Sequence, residues 1–282
     1  MLYTIENERF RVTVNDFGAE LNSVFDKTTE TEYLWQGDPA VWSGRSPILF
    51  PIVGRLKDDL LLYKGKRCTL PKHGFGRRSE WTPAEKQDTS VTFILQDSPE
   101  TLEMYPFRFL VSVTFSLRGS ALLVTHEVKN TGDEDLYFSI GAHPGFRCEM
   151  GDKLRFEHPE TLYTQKIDLK ESLRLPDRIP VLDNEDTITI TPDIFNEDAL
   201  ILSGMRSKAI TLERANGKNV HFTYGDAPFL GIWAKPGAPY VCLEPWYGVN
   251  DPANGSLSFD LKEGVNRLAP GECFSFFWQA GF

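Results

Sequence analysis

Cysteine is scarce in this chain, and its histidines are scattered. The 282 residues include four cysteines and five histidines. The cysteines form no C-x-x-C pair, so neither a zinc knuckle nor a redox pair is indicated. The histidines lack the H-x-H or H-E-x-x-H spacing that is typical of zinc enzymes. We therefore predict no metal and no cofactor.

Long apolar runs, basic clusters and nucleotide-binding loops are also missing. No run approaches the roughly eighteen apolar residues of a membrane span, and the first residues lack the basic and apolar regions of a signal peptide. The formal net charge of −10 repels a phosphate backbone. No G-x-G-x-x-G, P-loop or G-x-S-x-G motif is present. We expect a cytoplasmic monomer or homodimer with no nucleic-acid or membrane partner.

Patterns typical of β-strands dominate the sequence. Residues 10–14, 90–96, 108–117 and 121–129 are rich in Val, Phe, Thr and Leu, as half-buried strands are. The short Gly-containing loop at 118–120 predicts that the last two segments form a hairpin. Further strands are predicted at 136–141, 199–202, 209–213, 220–224, 230–234, 240–244 and 273–279.

Helical signals are few. Ser98 is a good N-cap and Pro99 suits the first helical position, which predicts one short helix. Strands do not alternate with helices, so a parallel α/β sheet is excluded, and no linker or repeat divides the chain. We therefore predict an all-β fold of mainly antiparallel strands, a single domain over residues 1–282.

Two histidines stand beside glycines and prolines. His73 lies in Pro-Lys-His-Gly-Phe-Gly at 71–76, where the glycines around Phe75 indicate a backbone held close to another group. His143 follows the strand at 136–141 and precedes a Pro-Gly turn, which presents its ring rigidly to a cleft. Imidazole suits proton transfer near neutral pH. For each histidine, an ordinary structural role in a loop is the alternative.

A carboxylate ends one of the apolar strands. Glu244 comes just before Pro245 and the aromatic residues Trp246 and Tyr247. Desolvation of a half-buried carboxylate raises its pKa and makes it a better base near pH 7. Aromatic rings beside a carboxylate suit a sugar, whose C–H face packs on the ring while its hydroxyls reach charged groups. The two aromatic residues are alternatively ordinary core.

Taken together, these segments resemble the aldose 1-epimerase (galactose mutarotase-like) family, most closely its LacX-like bacterial branch. In the family's order they are Pro-Ile-Leu-Phe-Pro at 47–51 with Gly-Arg at 54–55, His-Gly-Phe at 73–75, Gly-Ala-His-Pro-Gly-Phe at 141–146, Phe-Asn-Glu-Asp-Ala-Leu at 195–200 and Leu-Glu-Pro-Trp at 243–246. Each segment is weak alone, but the ordered set spreads over most of the chain. The resemblance implies a β-supersandwich with an open cleft on one sheet.

The resemblance also implies roles for particular residues. Glu244 matches the general base that takes the proton from the C1 hydroxyl, and His143 matches the general acid that protonates the ring oxygen. His73 matches a second histidine near the ring oxygen. Arg55 matches an arginine that contacts sugar hydroxyls, and Asp198 matches a sugar-binding aspartate.

The function that this resemblance implies is an aldose 1-epimerase, which interconverts the α and β anomers of a hexose or hexose phosphate. Ring opening removes a proton from one oxygen and adds one to its neighbour, so Glu244 must be ionised while His143 is protonated. The reaction requires neither a redox centre nor a metal. Trp246 and Phe75 complete the predicted contacts with the substrate.

Two other functions stay open, as does the substrate. A carbohydrate-binding protein without catalysis would use the same cleft but would not need the acid–base pair. A glycoside hydrolase would need two carboxylates, for which Asp198 and Glu244 are the candidates. Recognition of a phosphate would need basic side chains. The candidates, which are alternatively solvated surface residues, are Arg45, Arg77, Arg78 and Arg147.

Overall fold

The computed structural model describes residues 1–255 and 258–282, and strands dominate its regular structure. In chain order the strands are β1 (Leu2–Glu6), β2 (Phe10–Asn15), β3 (Glu20–Asp26), β4 (Thr31–Glu32), β5 (Ile48–Leu49), β6 (Leu60–Tyr63), β7 (Lys66–Thr69), β8 (Thr82–Lys86), β9 (Ser90–Gln96), β10 (Phe109–Arg118), β11 (Ala121–Asn130), β12 (Leu136–Phe138), β13 (Ile140–Ala142), β14 (Gly145–Arg147), β15 (Lys153–Ile167), β16 (Arg174–Thr189), β17 (Leu200–Ser203), β18 (Ala209–Glu213), β19 (Val220–Thr223), β20 (Phe229–Trp233), β21 (Tyr240–Tyr247), β22 (Asn266–Leu268) and β23 (Cys273–Gly281). Within the described residues the helical segments are α1 (Pro99–Met104) and three 3₁₀ turns at Lys57–Asp59, Gly76–Arg78 and Phe259–Leu261.

The largest sheet has nine strands in the order β16-β15-β18-β19-β23-β11-β10-β9-β8. All of its neighbouring strands are antiparallel. Buried positions alternate with more exposed ones along β10 and most of β11, because successive side chains of a strand point to opposite faces. The pairing runs to Arg118 opposite Ala121, which confirms the predicted hairpin.

A second sheet, in the order β17-β20-β21-β13-β5, positions the candidate site. Its strand β21 is buried at every residue except the last, between β20 on one side and β13 and β14 on the other. A central strand with both faces covered reads as a nearly continuous apolar run. The strand predicted at 240–244 accordingly continues to Tyr247.

Within the described residues, the larger of two apolar clusters connects the sheets. Fully buried aromatic side chains from five different strands belong to it, namely Phe10, Phe93, Phe109, Phe222 and Tyr240. The small sheet of β1 to β4 contributes to the same core through β2 and β3. The predicted all-β, mainly antiparallel fold class is thus confirmed.

Helix α1 begins where the sequence predicts, and Ser98 Oγ accepts the N–H of Thr101 at 3.3 Å. The long hairpin of β15 and β16 was not predicted. Much of β16 is exposed and carries prolines and acidic residues, and its pairing with β15 is interrupted by register shifts, so the apolar alternation is lost. No helix of the described residues is long and apolar enough to cross a membrane.

Candidate active site

The site is built where one strand is interrupted beside another. β13 ends at Ala142, β14 begins at Gly145, and both pair with β21. The two residues between them, His143 and Pro144, lie opposite the part of β21 that contains Glu244. Proline has no N–H for a continuous ladder. The interruption therefore carries the histidine side chain to the glutamate on the next strand.

His143 and Glu244 are in direct contact. The distance from His143 Nε2 to Glu244 Oε2 is 3.2 Å, and the two side chains are 9% and 1% exposed. Such burial leaves little room for water between the groups, so the proton on one is shared most directly with the other. The sequence-predicted acid and base are therefore brought together.

Burial drives both groups of the pair toward their uncharged forms. Desolvation raises the pKa of Glu244 well above its ordinary value, while the hydrogen bond from Trp246 opposes the rise and the charge of Asp198 adds to it. Desolvation lowers the pKa of His143 to about 3. A neutral imidazole with a protonated carboxyl holds the same number of protons as an imidazolium with a carboxylate. Transfer of one proton across the contact converts the first state into the second.

His73 is fixed from two sides by Gly54. The backbone N–H of Gly54 donates to the ring nitrogen His73 Nδ1 at 3.1 Å, and the backbone N–H of His73 donates to the Gly54 carbonyl at 2.7 Å. Since Nδ1 accepts, Nε2 carries the proton of the neutral ring and is available as a donor. The His73 backbone has a φ of 65°. Gly74 follows at 68°, where a Cβ would lie 2.2 Å from the Phe50 carbonyl oxygen, so only glycine fits.

Three tryptophans surround the acid–base pair. Trp42 stacks on His143 with ring centroids 5.1 Å apart, and Trp233 meets the same imidazole edge-on at 5.7 Å. Trp246 donates from Nε1 to Glu244 Oε2 at 3.2 Å. The aromatic rings exclude water and fix the orientations of both catalytic candidates.

All of these groups line one cavity of about 500 Å³. Asp198 lies on its wall with Asn196, and its backbone has a φ of 75°. Asp198 Oδ1 accepts the N–H of Ala199 at 2.8 Å, which fixes the side chain. A cavity of this size accommodates a small molecule. The predicted residues Glu244, His143, His73, Asp198 and Trp246 thus share it.

Two of the predicted substrate contacts lie elsewhere. The Arg55 guanidinium is bound by Asp59 at 2.7 and 2.8 Å and reaches the Glu171 carbonyl, and it is not part of the cavity wall. Phe75 is buried against Phe50 and its aromatic neighbours in the core. The tight backbone around Phe75 places its ring inward, while His73 on the same loop faces the cavity.

Other residues of the cavity wall were not predicted. They include Trp42, Lys235 and Asn250, which come from three distant loops. Trp42 has no glycine–proline motif of the kind that marked His143, so no local signal identifies it. Lys72 also lines the cavity. The one sequence signal that could have identified it is its position directly before His73.

Cys242 lies beside the acid–base pair. Its Sγ and one ligand atom each of His143 and Glu244 are all within 4.8 Å of one another. The spacing of these three residues in the sequence differs from that of a zinc motif. The spacing of the histidines therefore gave no sign of the cluster. A site without metal remains a prediction.

Comparisons with known proteins agree with the resemblance. Residues 1–264 match the family model described as aldose 1-epimerase. The plasmid-encoded protein LacX of Lactococcus lactis subsp. lactis is 32% identical over 286 residues, which cover 96% of this chain and 95% of that protein. A galactose mutarotase related enzyme from Lactobacillus acidophilus has a solved structure with a TM-score of 0.94 and 33% identity, covering 100% of this chain and 97% of that one. A galactose mutarotase-like protein from Lactobacillus casei has a TM-score of 0.93 and 27% identity, covering 100% and 99%.

The family match extends over most of the chain, and the LacX similarity over nearly all of it. The resemblance seen in the sequence is therefore confirmed. The protein is an isomerase of the EC 5.1.3 type that acts as an epimerase or mutarotase on a small-molecule sugar. By these matches, the chain belongs to the aldose 1-epimerase family.

Proposed function

We propose that the protein interconverts the α and β anomers of a hexose or hexose phosphate, with Glu244 as general base and His143 as general acid. The observation that supports this assignment is the 3.2 Å contact between the two side chains at the wall of the cavity. A base and an acid must act on two neighbouring oxygens of the sugar. A contact pair is the arrangement that serves both.

The reaction starts from the ionised pair. The Glu244 carboxylate removes the proton from the C1 hydroxyl while the His143 imidazolium protonates the ring oxygen, so the bond from C1 to the ring oxygen breaks. The pair is then neutral and the sugar is an open aldehyde. Rotation about C1–C2 exposes the other carbonyl face, and closure returns both protons to their original groups.

The other residues of the cavity assist this exchange. Glu244 Oε2 is occupied by His143 and Trp246, which leaves Oε1 to receive the proton from the sugar. The Nε2–H of His73 can donate to the ring oxygen region as charge develops there. The position of Asp198 on the cavity wall supports a role as acceptor of a hydrogen bond from a sugar hydroxyl. Each matched general catalyst contributes roughly 10²–10⁴-fold.

The test is mutarotation of freshly dissolved α-glucose, α-galactose and their 6-phosphates, followed by polarimetry. Glu244→Gln preserves the shape of the side chain but removes the base, so we expect its kcat to fall by at least about 10²-fold. Glu85→Gln, on an exposed strand, is the matched control and should be unchanged.

The same experiment separates the proposal from sugar binding without catalysis. Calorimetry should show that Glu244→Gln still binds sugar although it no longer accelerates mutarotation. A folded wild-type protein that binds sugars but accelerates none of them would contradict the catalytic assignment and favour the binding protein. Equal rates for the wild type and Glu244→Gln would remove Glu244 from the mechanism.

A further inference from the structure

Three cationic side chains line the cavity, Lys72, Arg77 and Lys235. Its carboxylates are Asp198 and the buried Glu244. Positive charge is therefore in excess at this one place, although the whole chain carries a formal net charge of −10. The acidic composition of the chain does not explain a local excess of positive charge, so we attribute the excess to what the cavity binds.

None of the three cations forms an ion pair in the part of the chain that the structure describes. Lys72 Nζ donates to Ser172 Oγ at 3.2 Å, and Arg77 Nη2 donates to the Lys72 carbonyl at 3.1 Å. Arg77 Nε is buried and has no hydrogen-bond partner. That nitrogen is closed off from the cavity, as are the unpartnered Nε atoms of Arg45 and Arg214 elsewhere. The observation that points to an anionic ligand is that, within the described residues, the three cations on the cavity wall have no paired carboxylate.

The nearby carboxylate Glu20 is already engaged. Its charge reaches Arg77, but Oε1 accepts the backbone N–H groups of Arg45 at 2.7 Å and Ser46 at 3.0 Å. Those bonds hold the Glu20 carboxylate against the backbone of residues 45–46. Within the described residues, Arg77 therefore lies on the cavity wall with no carboxylate in ion-pair contact.

The cations also act on the histidines. After burial, which is the main cause, the positive charges of Lys72 and Arg77 further lower the pKa of both His73 and His143. That effect opposes protonation of the proposed acid. An anion bound between the cations and the histidines would offset it and favour the imidazolium.

We propose that the sugar carries an anionic group, a phosphate or a carboxylate, and that Lys72 and Arg77 bind it with help from Lys235. This inference rests on the proposed function and names the class of its substrate. Arginine and lysine donate charge-assisted hydrogen bonds to such oxygens. The loop that holds His73 at the ring oxygen thereby also supplies the cations that recognise the substituent.

The other arginines that the sequence suggested as phosphate contacts lie outside this cavity. Arg45 is bound to Asn22 Oδ1, and Arg78 is exposed outside the cavity. Arg147 lines a different cavity together with Arg214. Of those four candidates, Arg77 is the one on the wall that also bears the acid–base pair.

The experiment compares α-glucose, α-glucose 6-phosphate and glucuronate as substrates and, by calorimetry, as ligands. The variants are Lys72→Met, Arg77→Gln, the conservative Arg77→Lys, and Arg78→Gln as the exposed control. We expect kcat/KM for one anionic sugar to exceed that for glucose by about tenfold or more. Lys72→Met and Arg77→Gln should each remove most of that preference, Arg77→Lys should restore part of it, and Arg78→Gln should leave it intact.

The anionic sugar that is preferred identifies the substituent as phosphate or carboxylate. Glucose turned over as well as both anionic sugars would overturn the inference while leaving the mutarotase intact. If no sugar is turned over, the proposed function fails, and the calorimetry still decides: anionic binding that Arg77→Gln abolishes supports the anion site. Equal binding of glucose and both anionic sugars, or no binding of either anionic sugar, overturns it.

Discussion

The acid–base pair depends on a single proton held between two buried side chains. Isolated, the Glu244 carboxyl would resist ionisation and the His143 imidazole would resist protonation, because burial penalises either charge. Together they can separate charge without taking up or releasing a proton. In the proposed mechanism, the pair therefore reaches its catalytic state with the same number of protons as its resting state.

A broad pH profile follows from this sharing. Because the pKa of His143 is lowered, a second proton is added only well below the ordinary histidine value of 6.5. Because burial raises the pKa of Glu244 well above the ordinary carboxyl value of 4.5, the shared proton is lost only at a pH well above that value. We expect kcat/KM to be flat through neutral pH and to fall at both extremes, measured by polarimetry. An acid limb centred at pH 6.5 would show that His143 titrates as an isolated, solvated imidazole.

A glycine beside the pair is also required. Gly231 lies opposite Glu244 in the ladder between β20 and β21, and a Cβ there would be 2.6 Å from Trp246 Cζ2. Gly231→Ala should displace the indole and weaken its hydrogen bond to Glu244. We expect kcat to fall by about tenfold or more and the free energy of unfolding to fall by about 1–3 kcal/mol.

The matched control for that change is Gly281→Ala, in strand β23, where an added Cβ meets its nearest neighbour at an ordinary 3.9 Å. Rate assays and urea unfolding of both variants provide the comparison. If Gly231→Ala retained full activity with an unchanged free energy of unfolding, Trp246 would not be the constraint that the structure indicates.

Among the strands, β11 contains a buried imidazole at a position where the apolar alternation predicts a hydrophobic side chain. His126 is 1% exposed and stacks on Phe276 with centroids 4.6 Å apart. Neither of its ring nitrogens has a hydrogen-bond partner. Burial lowers the pKa of His126 to about 3. The strand therefore tolerates His126 only in its neutral form.

This gives the strand a pH-dependent stability. Between pH 6.5 and about 3 the unfolded chain binds a proton at His126 that the folded chain does not. The contribution to stability is complete above pH 6.5 and decreases by up to about 1.4 kcal/mol per pH unit as the pH falls. His126→Phe should reduce the slope of unfolding free energy against pH by about one proton in this window.

Urea unfolding at several pH values measures that slope. Phe277→Leu, at an exposed position of β23, changes no titratable group and is the control, so its slope should match the wild type. The same slope in the wild type and in His126→Phe would mean that His126 is protonated without cost in the folded strand. Removing two unsatisfied nitrogens should also make the variant no less stable at neutral pH.

At the scale of the whole molecule, the sheets share their apolar residues. The main cluster takes side chains from β2, β10, β19 and β21, which belong to three different sheets. Opening one sheet would expose the core of the others to water. This continuity supports the prediction of a single domain over residues 1–282.

Cooperative unfolding is the expected result. Far-ultraviolet circular dichroism and tryptophan fluorescence should report the same urea midpoint, because Trp42 and Trp233 pack against the main apolar cluster and Trp246 lies on β21, which contributes to that cluster. Two separate midpoints would contradict the single domain. The Arg78→Gln variant is a suitable second sample, since its side chain is exposed and its midpoint should match the wild type.

The amino-acid sequence by itself predicted many of the strands, the short helix and the two residues of the proposed acid–base pair, but not the hairpin of β15 and β16. Alternation of apolar side chains is a local property, and His143 and Glu244 each stand next to a local proline signal. Only the tertiary structure decided which other side chains reach the cavity. Phe75 packs in the core and Arg55 forms an ion pair with Asp59, whereas Arg77 lines the cavity. The core contacts of Phe75 and the wall of the cavity are formed by residues distant in the chain, which no local pattern encodes, although Asp59 is only four residues from Arg55.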